Sequence, residues 1–454
     1  MIRRTNIETL PNEILLYIFS YLSWFNMLTS LWSLNIRFNS LVCSTLSIND
    51  NLLTLALSYN KCSTLFPLIF KSSSLSSSIQ HIHIDERNSM TCDLIYQWLF
   101  NDKKILHFPN LKSLILIEYQ KSIEPIFQCL FHLIENQLDE LALTFNGIIF
   151  TGRRKQKMTM MKKLICQLFS SQCHLTSLRL DISHWFIHDD IHQCLTSDSI
   201  QYKHQSFCLT LRRLYLRLRY TRFLEDLIEH VPNLEQISVQ FDISLKFDLL
   251  WKSNIEIMKQ SNENWFNKLP KLRYFSLKTF IEGDCEFIYL KWLLNNLNYV
   301  KKLQLYLANY ELDIRESQNI WKSFIDANFI RQYCLPDRIN NLLDFDFYIC
   351  SYSQLSLNDI EQTTNSFKNH SFFLAHQWTN VKYFFDPILS CQHIFSCFTN
   401  PFHFSRNLIK YPNIINWPHM DNIWYRLHPS LYLVLQGFNQ LTPNVSSIKV
   451  HASK

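Results

Sequence analysis

The chain is 454 residues long, 47% apolar and only 18% charged, with a formal net charge of +6. So apolar a composition excludes disorder as the governing state, and so modest a charge gives no argument for nucleic acid. Only four glycines occur, Gly147, Gly152, Gly283 and Gly437, so neither a G-x-G-x-x-G nor a Walker-type phosphate loop can be built.

Met1-Ile2-Arg3-Arg4 leads straight into polar and helical residues, without the apolar core that a secretory signal needs. No run of about 18 apolar residues follows, so no membrane span is expected. The thirteen cysteines are scattered singly, with no Cys-x-x-Cys, and read as reduced thiols. The expected location is the cytoplasm, the nucleus or both.

The first predicted element runs from Leu10 to Leu22. Pro11 suits the first turn of a helix, and Glu13 is favoured there by the helix dipole. Ile14, Leu15, Ile18, Phe19 and Leu22 recur as one broad helical face. Asn26 can cap a second short helix carrying Met27, Leu28, Leu31 and Trp32. Leu34 to Val42 supplies a third. So small a unit cannot hide stripes this wide by itself, so the rest of the chain or another protein should cover them.

These residues resemble an F-box. The pattern is Leu-Pro-x-Glu-Ile-Leu-x-x-Ile-Phe-x-Tyr-Leu from Leu10 to Leu22, followed by Leu28, Leu34-Asn35 and Phe38. It departs from the usual F-box at Leu34-Asn35, where Val-Cys or Val-Ser is common, and at Phe38, where Trp is common. The resemblance covers residues 1–48. It implies docking onto the Skp1 adaptor of a cullin-type ubiquitin ligase. Leu10, Pro11, Ile14, Leu15, Ile18 and Leu22 would meet the adaptor, with Leu28, Leu34 and Phe38 helping. The plain alternative is a helical cap on a larger domain.

From residue 49 onwards a Leu-x-x-Leu-x-Leu motif returns. Copies begin at Ile79, Leu111, Leu138, Leu175, Leu211, Leu234, Leu272 and Val300, and a last one at Val445. Three share a lead-in: Pro109-Asn110-Leu111, Pro232-Asn233-Leu234 and Pro270-Lys271-Leu272. Proline stops the preceding helix and the polar residue turns the chain. Helical stretches lie between copies, marked by Ile123, Phe127, Leu130 and Ile134, by Leu164, Ile165, Leu168 and Phe169, by Leu224, Leu227 and Ile228, and by Tyr289, Trp292, Leu293 and Leu297. Each unit is strand, loop, helix and return, and no unit can bury its faces alone.

The first eight copies begin 23–38 residues apart. The shortest spacings match the leucine-rich repeat, whose period is roughly 20–29 residues. Residues 49–454 therefore resemble the irregular leucine-rich repeats found behind F-boxes. The expected fold is α/β: a small three-helix F-box followed by an irregular leucine-rich-repeat-like solenoid. The alternative is a non-repetitive α/β domain with similar strands. Over residues 309–440 the signal fades. Leu342–Phe347, Val381–Phe385 and Ile394–Phe398 alternate like strands and are read as diverged repeats of the same hand. The last copy ends four residues before Lys454, so the solenoid either closes abruptly or continues in a longer chain.

No catalytic constellation emerges, and neither a cofactor nor a metal is expected. Cys391, His393, Cys397 and His403 do not have finger spacing and read as core residues of a strand. His188 and His192 lack the Glu of H-E-x-x-H. Arg153-Arg154-Lys155-Gln156-Lys157 reads as a solvated loop before a helix, with nuclear import or anion binding as the sharper option. No Gly-x-Ser-x-Gly elbow is present, and Asp344 and Asp346 share one strand face with nothing converging on them.

The Leu211–Tyr220 stretch carries more information. Strand alternation buries Leu214, Leu216 and Leu218 and puts Arg213, Tyr215, Arg217 and Arg219 on the opposite face. Applied to other copies, the same rule adds Arg179, Gln240, Tyr274, Lys278 and Tyr306. In a leucine-rich solenoid this face lines the concave surface. Its Arg, Lys and Tyr content suits an acidic or phosphorylated protein; the bland alternative is an exposed face that has to be polar. The functional expectation is a non-catalytic, substrate-recognising subunit of a Skp1–cullin–F-box ubiquitin ligase. The alternative is a protein-binding scaffold without ubiquitin output.

Overall fold

The computed structural model describes residues 7–48, 53–54, 59–85, 96–119, 123–145, 154–182, 207–242, 244–245, 265–308, 320, 325–339, 341–351, 357–386 and 391–396. The expectations about His188, His192, Cys397, His403 and the copy at Val445 lie outside them. The chain forms two compact units. The first comprises residues 1–239 and 267–272, and the second residues 240–266 and 273–454.

The first unit opens with helices α1 (Asn12–Ser20), α2 (Trp24–Ser30) and α3 (Ile36–Ile48). Helices α4 (Tyr59–Lys71) and α5 (Ser73–Ser78) follow, and α3 lies beside α5. Ser23, not Asn26, caps α2: its hydroxyl accepts from the Asn26 amide at 3.2 Å. The cap belongs before the first turn, and Asn26 is already inside it, as one of the amides needing a partner.

Strands β1 (Leu53–Thr54), β2 (His81–Asp85), β3 (Ser113–Tyr119), β4 (Glu140–Phe145), β5 (Ser177–Asp181), β6 (Arg213–Leu218) and β7 (Gln236–Phe241) lie side by side in sequence order. Neighbours from β1 to β6 run parallel. Helices alternate with them: α6 (Ile123–Asn136), α7 (Arg154–Leu168) and α8 (Arg222–Ile228). Helix α7 starts at Arg154, so most of the basic stretch read as a loop is helical.

The register explains the repeated motif. Ile82, Leu114, Leu141, Leu178 and Leu214 are successive Cα partners, and Ile84, Leu116, Leu143, Leu180 and Leu216 form a second row. Every one of these side chains is at most 5% exposed. Parallel in-register stacking places each motif leucine against its equivalents, so one apolar row runs through the unit.

A second regularity ties successive strand–helix repeats of the first unit together. The carbonyl after the first motif leucine accepts two successive amides of the next unit. Gln80 accepts from Lys112 and Ser113 at 2.8 and 3.0 Å, Lys112 from Asp139 and Glu140, Asp139 from Thr176 and Ser177, Thr176 from Arg212 and Arg213, and Arg212 from Glu235 and Gln236. Side chains add rungs just before the motif. Asn110 donates to the Ser77 carbonyl at 2.7 Å, Thr210 to Cys173 at 2.7 Å and Asn233 to Leu209 at 2.8 Å. The polar residue after proline therefore does more than turn the chain, because it satisfies a carbonyl of the preceding unit.

In the second unit, β8 (Tyr274–Phe280), β9 (Lys302–Ala308) and β10 (Asp344–Ser351) run parallel to one another in that order. Phe275, Leu303 and Phe345 are partners, as are Leu277, Leu305 and Phe347, so Leu342–Phe347 is a motif copy with phenylalanines. Helices α9 (Asp284–Asn296), α10 (Ala327–Tyr333) and α11 (Leu357–Asn369) are successive neighbours, and α12 (Ser371–Ala375) follows.

The reading of later strands as repeats of the same hand is corrected at this point. β11 (Val381–Asp386) and β12 (Cys391–Ser396) are antiparallel to each other, and β12 is antiparallel to β10. With only residues 387–390 between them, the chain has no room for the crossover that parallel neighbours need.

Candidate functional site

Two surfaces carry the residues that the sequence singles out. The first is on α1. Leu15 and Phe19, one turn apart, are completely buried, and the Phe19 ring meets Phe38 at 5.9 Å. Met27, Leu28, Leu41 and Val42 complete this small core. At the start of α3, the Asn35 side chain accepts from the Phe38 amide at 2.9 Å. Arg37 then ties α3 to the chain ahead of α1. It donates to Asn12 at 2.8 Å and to the Glu8 and Leu10 carbonyls at 2.5 Å each.

The broad apolar face expected for α1 is in fact two faces. Leu15 and Phe19 point inward. Ile14, Tyr17 and Tyr21, spaced by three and four residues, point outward and are 46%, 63% and 70% exposed. The Tyr17 and Tyr21 rings meet edge-on at 5.1 Å, and the Tyr21 hydroxyl donates to that of Tyr17 at 2.7 Å. Where Arg37 joins the helices, Ile7, Leu34 and Ile36 are also exposed, Ile36 by 87%.

The nine residues expected to meet an adaptor therefore fall into three groups. Pro11, Ile14 and Leu34 are exposed, while Leu10, Ile18 and Leu22 are half-buried. Leu15, Leu28 and Phe38 are at most 2% exposed and serve the module's own core. Leu15 lies on the inner stripe of α1, Leu28 on α2 and Phe38 on α3, so all three are covered by the helices themselves. Tyr17, Tyr21 and Ile36 are exposed beside them and were not among the nine. The signal was present in Tyr17 and Tyr21, which sit one turn beyond Ile14 and Ile18 on the same stripe.

The second surface is the polar side of the strands. In the first unit it behaves as alternation predicts: Arg213, Tyr215 and Arg217 lie opposite Leu214, Leu216 and Leu218. Arg213 donates to Glu140 at 2.8 Å, reaching over the small Ser177 that is the Cα partner of both. Arg217 donates to Asp181 at 3.2 Å, and both side chains are largely covered. The exposed Arg179 guanidinium sits 5.2 Å from the Tyr215 ring centre, whose hydroxyl accepts from Gln236 at 3.2 Å. Arg219, just past β6, lies 5.5 Å from the Tyr220 ring. Gln240 is half-buried on β7.

The second unit has its own network. Tyr274 donates to the buried Gln304, which donates to Asp346 at 2.9 Å. Lys302 is 3.7 Å from the same carboxylate. The Tyr306 and Tyr348 rings are 5.8 Å apart. Burial, with the Asp346 carboxylate and the neighbouring tyrosines behind it, pushes the Tyr306 hydroxyl well above its usual pKa. Lys278 is half-buried on β8. Sequence reasoning listed the cations and tyrosines but missed Glu140 and Tyr348, and the linking role of Gln304. Their partners become visible only once the strand register is known.

Among the described residues, no group of three or more His, Cys, Asp or Glu side chains could hold a metal ion. No described helix is long and apolar enough to cross a membrane. Comparison of the chain with protein-family models and with curated proteins finds no match in either.

Proposed function

We propose that this chain is a non-catalytic, substrate-recruiting subunit of a Skp1–cullin–F-box ubiquitin ligase, acting in the cytoplasm, the nucleus or both. The observation that supports it is the outward stripe of α1. Ile14, Tyr17 and Tyr21 are exposed on a helix whose inner stripe is already used. Adjacent apolar and aromatic side chains of this kind are the anchors of protein interfaces. The stripe belongs to the segment that resembles an F-box, and its occupant in this reading is a Skp1-like adaptor, which would bring a cullin with it.

The polar strand faces would hold the target protein. The mechanism is proximity: a bound target's lysine is kept near a catalyst that other subunits supply. On the face of β4 to β6, Glu140 and Asp181 neutralise Arg213 and Arg217, while Arg179 stays exposed against Tyr215. An acidic or phosphorylated target segment would therefore engage Arg179 first and compete for the two paired arginines afterwards.

The test is capture of a purified Skp1-like adaptor by Ile14→Lys and Tyr17→Ser variants. Ile14 is the better position for a charge than the half-buried Ile18, because the lysine reaches water without disturbing the core. Each variant removes apolar burial of about 1.5–3 kcal/mol at the contact, roughly tenfold or more in affinity. Wild-type capture by both variants overturns the docking surface. Co-recovery of a cullin with ubiquitin transfer to a bound protein distinguishes the ligase subunit from a scaffold that binds the adaptor alone.

A further inference from the structure

The polar face of β4 to β6 is laid out in rows, because Cα partners in a parallel sheet share a face. Glu140, Ser177 and Arg213 form the first row, Ala142, Arg179 and Tyr215 the second, and Thr144, Asp181 and Arg217 the third. Each row holds one arginine, and successive rows lie two strand residues apart, about 6.6 Å. The third row is closed, since Arg217 and Asp181 are paired at 3.2 Å and their side chains are mostly covered. The first two rows are open. Arg213 and Glu140 are each nearly half exposed, Arg179 is exposed, and their neighbours Ser177 and Ala142 are small.

The charges of the two open rows do not balance. Arg213 and Arg179 stand there with the single carboxylate of Glu140. Glu140 accepts from Arg213 at 2.8 Å, while the Arg179 guanidinium lies 5.2 Å from the centre of the Tyr215 ring. The Arg213–Glu140 pair is also replaceable. Water solvates both of its ends, so little free energy is lost when another carboxylate takes the place of Glu140. These rows therefore suit a partner that brings carboxylates, one for each arginine.

We propose that these two rows bind an extended target segment with carboxylates at alternate positions, acid-x-acid, and that Glu140 is the built-in competitor for the first of them. The inference deepens the target-binding part of the function proposed above and rests on it. An extended segment lying along β5 and β6 repeats its side chains at every second residue, with the same spacing as the rows. One carboxylate takes Arg213 in the first row as Glu140 swings into water. The other takes Arg179 in the second row, where the guanidinium fork matches a carboxylate. Acids at adjacent positions cannot engage both arginines in this way, because an extended chain turns them to opposite sides.

The test uses the full-length protein and two synthetic peptides of one composition, Thr-Glu-Thr-Glu-Thr and Thr-Thr-Glu-Glu-Thr. Each carries an uncharged fluorophore at its N-terminus and an amide at its C-terminus, and binding is followed by fluorescence anisotropy. The alternating peptide should bind at least about threefold more tightly than the adjacent one. Arg179→Ala should abolish that preference. Glu140→Gln should tighten the alternating peptide by about the same factor, since the competitor is gone, a gain that a purely structural ion pair would not give. A smaller preference in the wild type, or no measurable binding of either peptide, overturns the proposal without any variant having to fold. Unchanged or weaker binding by a folded Glu140→Gln variant overturns it equally. Adaptor capture by the same protein keeps the two readings apart. Capture without the peptide preference removes this inference and leaves adaptor docking standing; the preference without capture does the reverse.

Discussion

The outer stripe of α1 and the polar side of β4 to β6 both face solvent, yet they are built in opposite ways. On α1, Ile14, Tyr17 and Tyr21 expose apolar surface, and the chain offers the two tyrosine hydroxyls mainly each other. On the strands, Arg213, Arg217 and Tyr215 each hold a partner on the same face. A surface of the first kind gains free energy by losing water, so it can supply affinity to a complex. A surface of the second kind has to exchange contacts it already makes, so it supplies selectivity more readily than affinity. If that division is correct, damage to the strand register should hurt folding, and damage to the α1 stripe should hurt only association.

The largest effect is expected where the strand side is deepest. Leu214 is completely buried in the row that runs from Ile82 through Leu114, Leu141 and Leu178. Leu214→Ala leaves a cavity between in-register leucines and should cost about 2–5 kcal/mol. Denaturant unfolding measures it, with the midpoint falling and the slope unchanged. A loss below about 1 kcal/mol would mean that the neighbouring strands collapse into the gap and that the row is not the rigid frame described above.

The next effect separates two ion pairs on one face. Arg217 and Asp181 have side chains 18% and 13% exposed, whereas Arg213 and Glu140 are 48% and 45% exposed. Arg217→Ala leaves a covered carboxylate without its cation and should cost about 1–3 kcal/mol. Arg213→Ala should cost no more than about 0.5–1 kcal/mol, because water replaces the lost partner. A double-mutant cycle with Asp181→Ala and Glu140→Ala gives the two coupling energies directly. Equal couplings would remove the distinction between a framework pair and a pair that a target can displace.

How much of this could be read beforehand depends on whether a feature is local. The rows of Leu178, Leu180, Leu214 and Leu216 were legible because alternation within one strand decides which side chains are buried. The double acceptance by Gln80, Lys112, Asp139, Thr176 and Arg212 was not, since backbone bonds leave no mark on residue type. Asn110 and Asn233 looked like turn residues, which they are, and their second role needed the previous unit in place. Glu140 meets Arg213 only because Ser177 between them is small. The pairing of β11 with β12 escaped because the alternation of Val381–Phe385 reads the same in either direction. On α1, the pattern showed how much apolar surface there was but not that the fold uses only one stripe of it.

The smallest effect tests the other half of the comparison. Ile36 is 87% exposed at the first position of α3, where Asn35 already satisfies the Phe38 amide. Ile36→Ser removes a side chain that touches mostly water and keeps the cap, so unfolding free energy should change by no more than about 0.5 kcal/mol. The same substitution should weaken adaptor capture if the exposed residues around Arg37 belong to the docking surface with Ile14 and Tyr17. A stable variant with weakened capture extends that surface from α1 to the start of α3. A stable variant that binds like the wild type confines it to the α1 stripe. A loss of stability above about 1 kcal/mol would show that Ile36 supports the module, so that its exposure is not the sign of a free surface.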